Sequence, residues 1–125
     1  MIVIDYKDRR PIYEQVVERF QELILNGALP PDSKLPSVRN LAIELSINPN
    51  TIQRAYGTLE QKGYIYSVKG KGSFIAGDVE LMEFKKNEVL KQLEEAVSKA
   101  KKTGIEYSQI EKTCQAIYKE EQIDD

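Results

Sequence analysis

Two neighbouring stretches decide the predicted fold of this chain: residues 35–42 (LPSVRNLA) and residues 48–56 (NPNTIQRAY). In the first stretch, Ser37 is a typical N-cap and apolar side chains follow it at helical spacing. In the second, Asn48 is a typical N-cap and Pro49 suits the first helical position, where its missing N–H costs nothing. Only residues 46–48 lie between the two predicted helices, which is the spacing of a helix-turn-helix.

The flanking residues extend this motif. Upstream, Pro11 precedes apolar residues at helical spacing, and Gly27 is suited to end that helix. Downstream of Gly63, residues 64–67 and 73–76 are β-rich and enclose a glycine-rich tip (VKGKG). The sequence therefore predicts an α+β fold, mostly α: an N-terminal winged helix-turn-helix of three helices plus a β-hairpin wing.

The pattern changes after Asp78, so we predict one domain over residues 1–78 and a second region over residues 79–125. This region contains two amphipathic helices separated near Gly104, and neither can bury its apolar face alone. We predict a two-helix dimerisation segment; packing back onto the first domain is the alternative. The predicted dimerisation residues are Met82, Val89, Leu93, Ala96, Ile110, Cys114 and Ile117.

Composition argues against catalysis. The chain has no histidine and one cysteine, so it lacks the commonest general base and the usual zinc ligands. Residues 70–73 (GKGS) contain only a fragment of a phosphate-binding loop, without its upstream glycine. We predict no enzyme activity, no metal and no cofactor. The absence of a long apolar run and of a basic, signal-like start predicts a cytoplasmic protein without membrane association.

Charge is unevenly distributed along the chain. The net charge is −2, yet residues 34–72 carry six basic residues against two acidic ones, a local balance of +4. Residues 79–125 carry eight basic residues against eleven acidic ones, a balance of −3. A local basic patch favours phosphate binding even when the total charge is negative.

Several side chains in the basic region have the chemistry of DNA contacts. Polar residues at the start of the third helix match base edges in the major groove, although a solvated polar face is the alternative. Arg39 is suited to a phosphate or a guanine, and its alternative is an ion pair with Glu44 or Glu60. In the wing tip, lysine supplies charge and glycine allows close approach. The predicted DNA-binding residues are Ser37, Arg39, Asn48, Asn50, Thr51, Gln53, Arg54, Lys69, Gly70, Lys71 and Gly72.

These motifs, with the opening PIY of residues 11–13 and the wing KGKGSF of residues 69–74, resemble the GntR family of bacterial transcription regulators. The resemblance covers about residues 9–77 and implies operator contacts from Arg39, the start of the third helix and the wing tip, with the wing in the minor groove. Pro49 stands where many relatives have a base-contacting arginine. The sequence NPNT and the short C-terminal region instead resemble the YtrA branch, in which two short helices form a dimer.

The leading hypothesis is therefore a sequence-specific DNA-binding transcriptional regulator, a repressor, that binds a palindromic operator as a homodimer. The alternative is a winged-helix protein-interaction module whose basic patch binds an acidic partner. No feature of the sequence identifies a small-molecule effector.

Overall fold

The computed structural model describes residues 2–123. Its elements, in chain order, are α1 (Ile12–Leu25), α2 (Val38–Leu45), α3 (Pro49–Gln61), β1 (Ile65–Val68), β2 (Gly72–Ile75), α4 (Val79–Lys102) and α5 (Tyr107–Ile123). This order confirms the predicted α+β, mostly α, winged helix-turn-helix followed by two helices. No helix within residues 2–123 has both the length and the apolar content needed to cross a membrane.

The core of the winged domain lies between its three helices and the hairpin. α1 presents Val16 and Phe20, and α3 presents Ile52 and Leu59, all of them fully buried. These positions recur at helical spacing, so each helix turns one apolar stripe inward. The hairpin contributes Ile75, which closes the core from the wing side.

The turn between α2 and α3 is fixed by local capping. The Ser37 hydroxyl accepts a hydrogen bond from the backbone N–H of Asn40 at 3.0 Å, which caps α2. Ser46 adopts a left-handed conformation with φ 54°, which reverses the chain after α2. Asn48 Oδ1 then accepts from the N–H of Asn50 at 2.8 Å and caps α3. Both predicted caps are confirmed.

The wing is an antiparallel hairpin in which Ile65 pairs with Ile75 and Val68 with Gly72. Each strand is displaced by one residue from its prediction. At the tip, the Lys71 N–H donates to the Val68 carbonyl at 2.9 Å, and Gly70 has a φ of 78° that favours glycine.

A third segment, which the sequence did not predict, pairs with the outer side of β2. The N–H of Asp32 donates to the Ile75 carbonyl at 2.8 Å, and the N–H of Leu35 donates to the Ser73 carbonyl at 2.9 Å. Lys34 thereby lies opposite Phe74 in an antiparallel bridge. This pairing joins residues about 40 positions apart in the chain, so no local pattern announces it.

The chain divides into two compact units after Met82, within α4, which begins at Val79. Met82 belongs to the first unit, where it is half-buried and packs against the core. The sequence placed Met82 on the dimerisation face. In the structure its side chain packs against the core of the first unit, so its part in dimerisation stays a prediction.

The second unit lacks a core of its own in the part that the structure describes. None of the side chains of residues 83–120 is buried, and only Lys85, Ala100 and Ile110 are even half-buried. Gly104, with φ 87°, follows the end of α4 as predicted. The apolar faces of α4 and α5 are thus left largely open to solvent.

Candidate nucleic-acid interface

The first turns of α3 present an exposed polar surface. Burial of Ile52 and Ala55 fixes the rotation of the helix and leaves Asn50 and Gln53 exposed. Thr51 is half-buried between them in sequence. Exposed side-chain amides near the N-terminus of a recognition helix are a usual source of base contacts in the major groove.

Arg54 is exposed but turns toward α1. Its guanidinium carbon lies 3.8 Å from the centre of the Tyr13 ring, in a cation–π contact. The sequence grouped Arg54 with Gln53 as a base contact, whereas the structure gives its side chain a partner on another helix. Only the packing of α1 on α3 reveals this, since Tyr13 lies 41 positions earlier in the chain.

The start of α2 presents Ser37 and Arg39 on the surface. The Ser37 hydroxyl oxygen already serves as the cap, so its hydroxyl hydrogen remains available to donate. In the described part of the chain, Arg39 forms no ion pair with Glu44 or Glu60. Glu60 instead accepts a hydrogen bond from the Ser67 N–H at 3.2 Å, which ties α3 to the wing.

An open groove of about 400 Å³, which we call the lysine-lined groove, runs between the start of α2 and the wing. Ser37 lies at one side, the wing-tip residues Lys69 and Lys71 lie at the other, and Lys34 also lines it. No acidic residue is among its described lining residues. The predicted contacts Gly70 and Gly72 lie in the same groove, so the structure brings together the wing tip and the start of α2.

Lys34 and Tyr56 are among the lining residues that the predicted site did not include. Lys34 was counted in the basic region but not as a contact, although it stands directly before the LPSVRNLA stretch. Tyr56 was predicted to be a core residue, and it is buried, but its hydroxyl reaches the Pro36 carbonyl at 2.7 Å. The helical spacing predicted that the Tyr56 ring is buried, but it did not predict the hydrogen bond of its hydroxyl.

A second groove, of about 600 Å³, lies between α1 and α3 and has a different electrostatic character. Its residue Arg10 is held by Asp8 at 2.8 Å and by Glu18. The side-chain hydrogen bond from Arg10 is the main cause that lowers the pKa of Asp8. Because Glu14 and Glu18 line this groove beside its basic residues, it is less suited to a phosphate than the lysine-lined groove.

Within residues 2–123, no group of three or more His, Cys, Asp or Glu side chains is arranged to hold a metal ion. The single cysteine, Cys114, is exposed on α5.

Residues 12–75 match the family model described as bacterial regulatory proteins, gntR family. The chain belongs to the GntR family. The match spans the three helices and the wing, so the predicted family is confirmed on the elements that carry the lysine-lined groove.

Similarity extends beyond the winged domain of this GntR-family chain. It is 38% identical over 112 residues to the HTH-type transcriptional repressor YtrA of Bacillus subtilis, covering 88% of this chain and 86% of that protein. A GntR family transcriptional regulator from Listeria monocytogenes has a similar structure, with a TM-score of 0.74, 38% identity, and coverage of 90% of this chain and 98% of that one. The predicted resemblance to the YtrA branch is thereby confirmed.

A solved complex shows a related domain with DNA. The DNA-binding domain of AraR in complex with operator ORE1 matches with a TM-score of 0.52 and 33% identity, covering 61% of this chain and 93% of that one. These relatives are transcriptional regulators and not enzymes, in agreement with the sequence-based prediction.

Proposed function

We propose that this GntR-family protein is a transcriptional repressor that binds a palindromic operator as a homodimer. The observation that carries the proposal is the lysine-lined groove between the start of α2 and the wing, which has no acid among the described residues that line it. Phosphate contacts dominate the affinity of such proteins, and a cationic groove without internal counter-charges is what they require.

Base recognition falls to the exposed start of α3. Asn50 and Gln53 carry amide side chains that can donate to and accept from one adenine edge in the major groove. Pro49 has no such chemistry, so these neighbours carry the sequence preference. The wing tip enters the minor groove and supplies Lys69 and Lys71 to the backbone.

Dimerisation through the second unit is supported by its exposed apolar side chains. Val89, Leu93 and Ile117 are each more than half exposed, and Ala96 and Cys114 are also exposed, whereas Ile110 is half-buried. Exposed apolar side chains along two helices are costly in water, and a second copy of the same helices removes that cost. A two-fold dimer then places two α3 helices in successive major grooves, about 34 Å apart, on a palindromic site.

Repression is inferred from similarity: YtrA of Bacillus subtilis, which matches over most of both chains, is named a transcriptional repressor. A regulator of this kind acts in the cytoplasm, where bacterial DNA lies.

The test begins with selection of bound sequences from a random DNA pool, followed by titration of the selected duplex with the full-length protein. We expect a palindromic consensus and a strong loss of affinity in the Arg39→Ala/Lys71→Ala variant. Lys99→Ala/Lys101→Ala is the matched control, because it removes the same charge from the exposed end of α4.

Failure to enrich any sequence, even at low salt, would favour the alternative of a protein-interaction module with an acidic partner. Wild-type affinity in the Arg39→Ala/Lys71→Ala variant would contradict the proposed docking even if a consensus emerged.

A further inference from the structure

We propose that Lys34 is a DNA-phosphate contact of this protein and that Gly72 is a positioning residue for it. The proposal rests on the proposed function, since it assigns two further residues to the same interface. It identifies the ligand group as a backbone phosphate, which implies a contribution to affinity and salt dependence without base preference.

The backbone of Lys34 is held firmly beside the wing. On its two sides, the carbonyl of Ser33 accepts from the Ile75 N–H and the N–H of Leu35 donates to the Ser73 carbonyl, both at 2.9 Å. Lys34 itself lies opposite Phe74 in the bridge. Lys34 therefore projects from a segment that is hydrogen-bonded to the wing, unlike a lysine on a loop without such bonds.

The side chain of Lys34 crosses the place where Gly72 would carry a side chain. A Cβ built on Gly72 would lie 3.0 Å from Lys34 Cε and 3.8 Å from its Nζ. Gly72 stands two residues before Phe74, so it is the diagonal cross-strand neighbour of Lys34. A long side chain can span the distance between such diagonal neighbours. The missing side chain of Gly72 thus makes room for the end of the lysine chain.

Electrostatics then indicate what the ammonium group binds. Lys34 forms no ion pair with any acidic side chain within the described residues. It lines the groove together with Lys69 and Lys71, and no acid among the described lining residues compensates these charges. Three cations around one groove repel one another, and an anion bound between them offsets that repulsion. DNA supplies such an anion as phosphate.

The decisive variants separate the charge of Lys34 from its aliphatic chain. Lys34→Met keeps an unbranched chain over Gly72 and removes the charge, and Lys34→Arg keeps the charge. Lys101→Met is the control, a matched loss of charge in the last turn of α4. Binding of full-length protein to a 30-base-pair duplex from the selected pool is titrated at several salt concentrations, and a scrambled duplex is titrated in parallel.

We expect Lys34→Met to weaken binding to both duplexes by a similar factor and to flatten the dependence of log affinity on log salt by about 1. Lys34→Arg retains the wild-type slope, and Lys101→Met does so as well. A wild-type slope and affinity for Lys34→Met, beside a flattened slope for Lys71→Met, would overturn the role of Lys34 and leave the proposed function standing. A wild-type protein that binds neither duplex would overturn both.

Gly72→Ala tests the positioning role in the same assay, with a thermal melt to verify folding because φ is 117° at this residue. We expect it to flatten the slope about as much as Lys34→Met does, and we expect the double variant to flatten it no further. Fully additive slope changes in the double variant would show that Gly72 acts independently of Lys34 and would overturn its assignment. If Gly72→Ala fails to fold, the Lys34→Met and Lys34→Arg pair still decides the role of Lys34.

Discussion

The phenolic hydroxyl of Tyr56 donates a 2.7 Å hydrogen bond to the backbone carbonyl of Pro36. This bond joins the middle of α3 to the residue that precedes the Ser37 cap of α2. The Tyr56 ring is buried, and it meets Phe20 edge-on with 5.8 Å between ring centres. Burial raises the pKa of Tyr56, so the hydroxyl keeps its proton and its role as donor across the physiological range. The two helices of the motif are thereby held together at the end that faces the groove.

Tyr56→Phe is therefore expected to lower the free energy of unfolding by about 1 kcal/mol, because the ring is kept and only the hydrogen bond is lost. Urea titration followed by circular dichroism measures the change. Tyr6→Phe, at a tyrosine that is 70% exposed, is the control and should leave stability unchanged. Equal midpoints for Tyr56→Phe and wild type would show that water replaces the lost donor without cost.

The contact of Arg54 with Tyr13 predicts a measurable coupling between α3 and α1. A double-mutant cycle of Arg54→Ala and Tyr13→Leu should give a coupling of about 0.5–1 kcal/mol, the range for a cation–π contact whose cation is exposed to solvent. Unfolding titrations of the four proteins supply the cycle. Replacing Arg54→Ala with Gln53→Ala in the same cycle is the control, and strictly additive energies in the Arg54 cycle would count against the contact.

Gln53 is expected to contribute to base recognition and Lys71 to phosphate binding, so variants of the two residues should have different effects. Gln53→Ala is expected to lose about 1–3 kcal/mol at particular base pairs of the selected operator, with little loss on a scrambled duplex. Lys71→Ala should weaken both duplexes alike and flatten the salt dependence by about 1. Titration of a panel of single-base operator variants makes the comparison. A uniform loss across the panel for Gln53→Ala would remove it from base recognition.

Dimerisation through the second unit predicts that Leu93→Glu yields a monomer. Leu93 is 53% exposed, so the substitution buries no new charge in the described chain but places carboxylates at a two-fold interface. Sedimentation equilibrium on the full-length variant measures the mass. A truncation after residue 78 is a poorer experiment, because it also removes Met82, which packs against the core of the first unit.

Val3→Glu is the matched control for that substitution, since Val3 is 83% exposed in the first unit. It should sediment like the wild type. A dimer that persists in Leu93→Glu would place the interface elsewhere, and a monomeric wild type would reject the homodimer altogether.

The amino-acid sequence by itself determined the features that arise from neighbouring residues. The caps Ser37 and Asn48 could be predicted because each is a contact between residues only two or three positions apart. The wing followed from two β-rich segments separated by a short glycine-containing tip, where pairing needs only a tight turn. The periodic apolar positions of α3 also fixed which of its residues face outward.

The tertiary structure alone decided where the longer side chains went. The placement of Arg54 over Tyr13, of Lys34 across Gly72 and of Met82 against the core each joins residues far apart in the chain. Such contacts depend on how the helices and strands pack, because that packing determines which residues lie within reach of a long side chain. The LPSVRNLA and NPNTIQRAY stretches thus fixed the helix-turn-helix, while the edge pairing beside β2 decided that Lys34 lines the groove it shares with the wing.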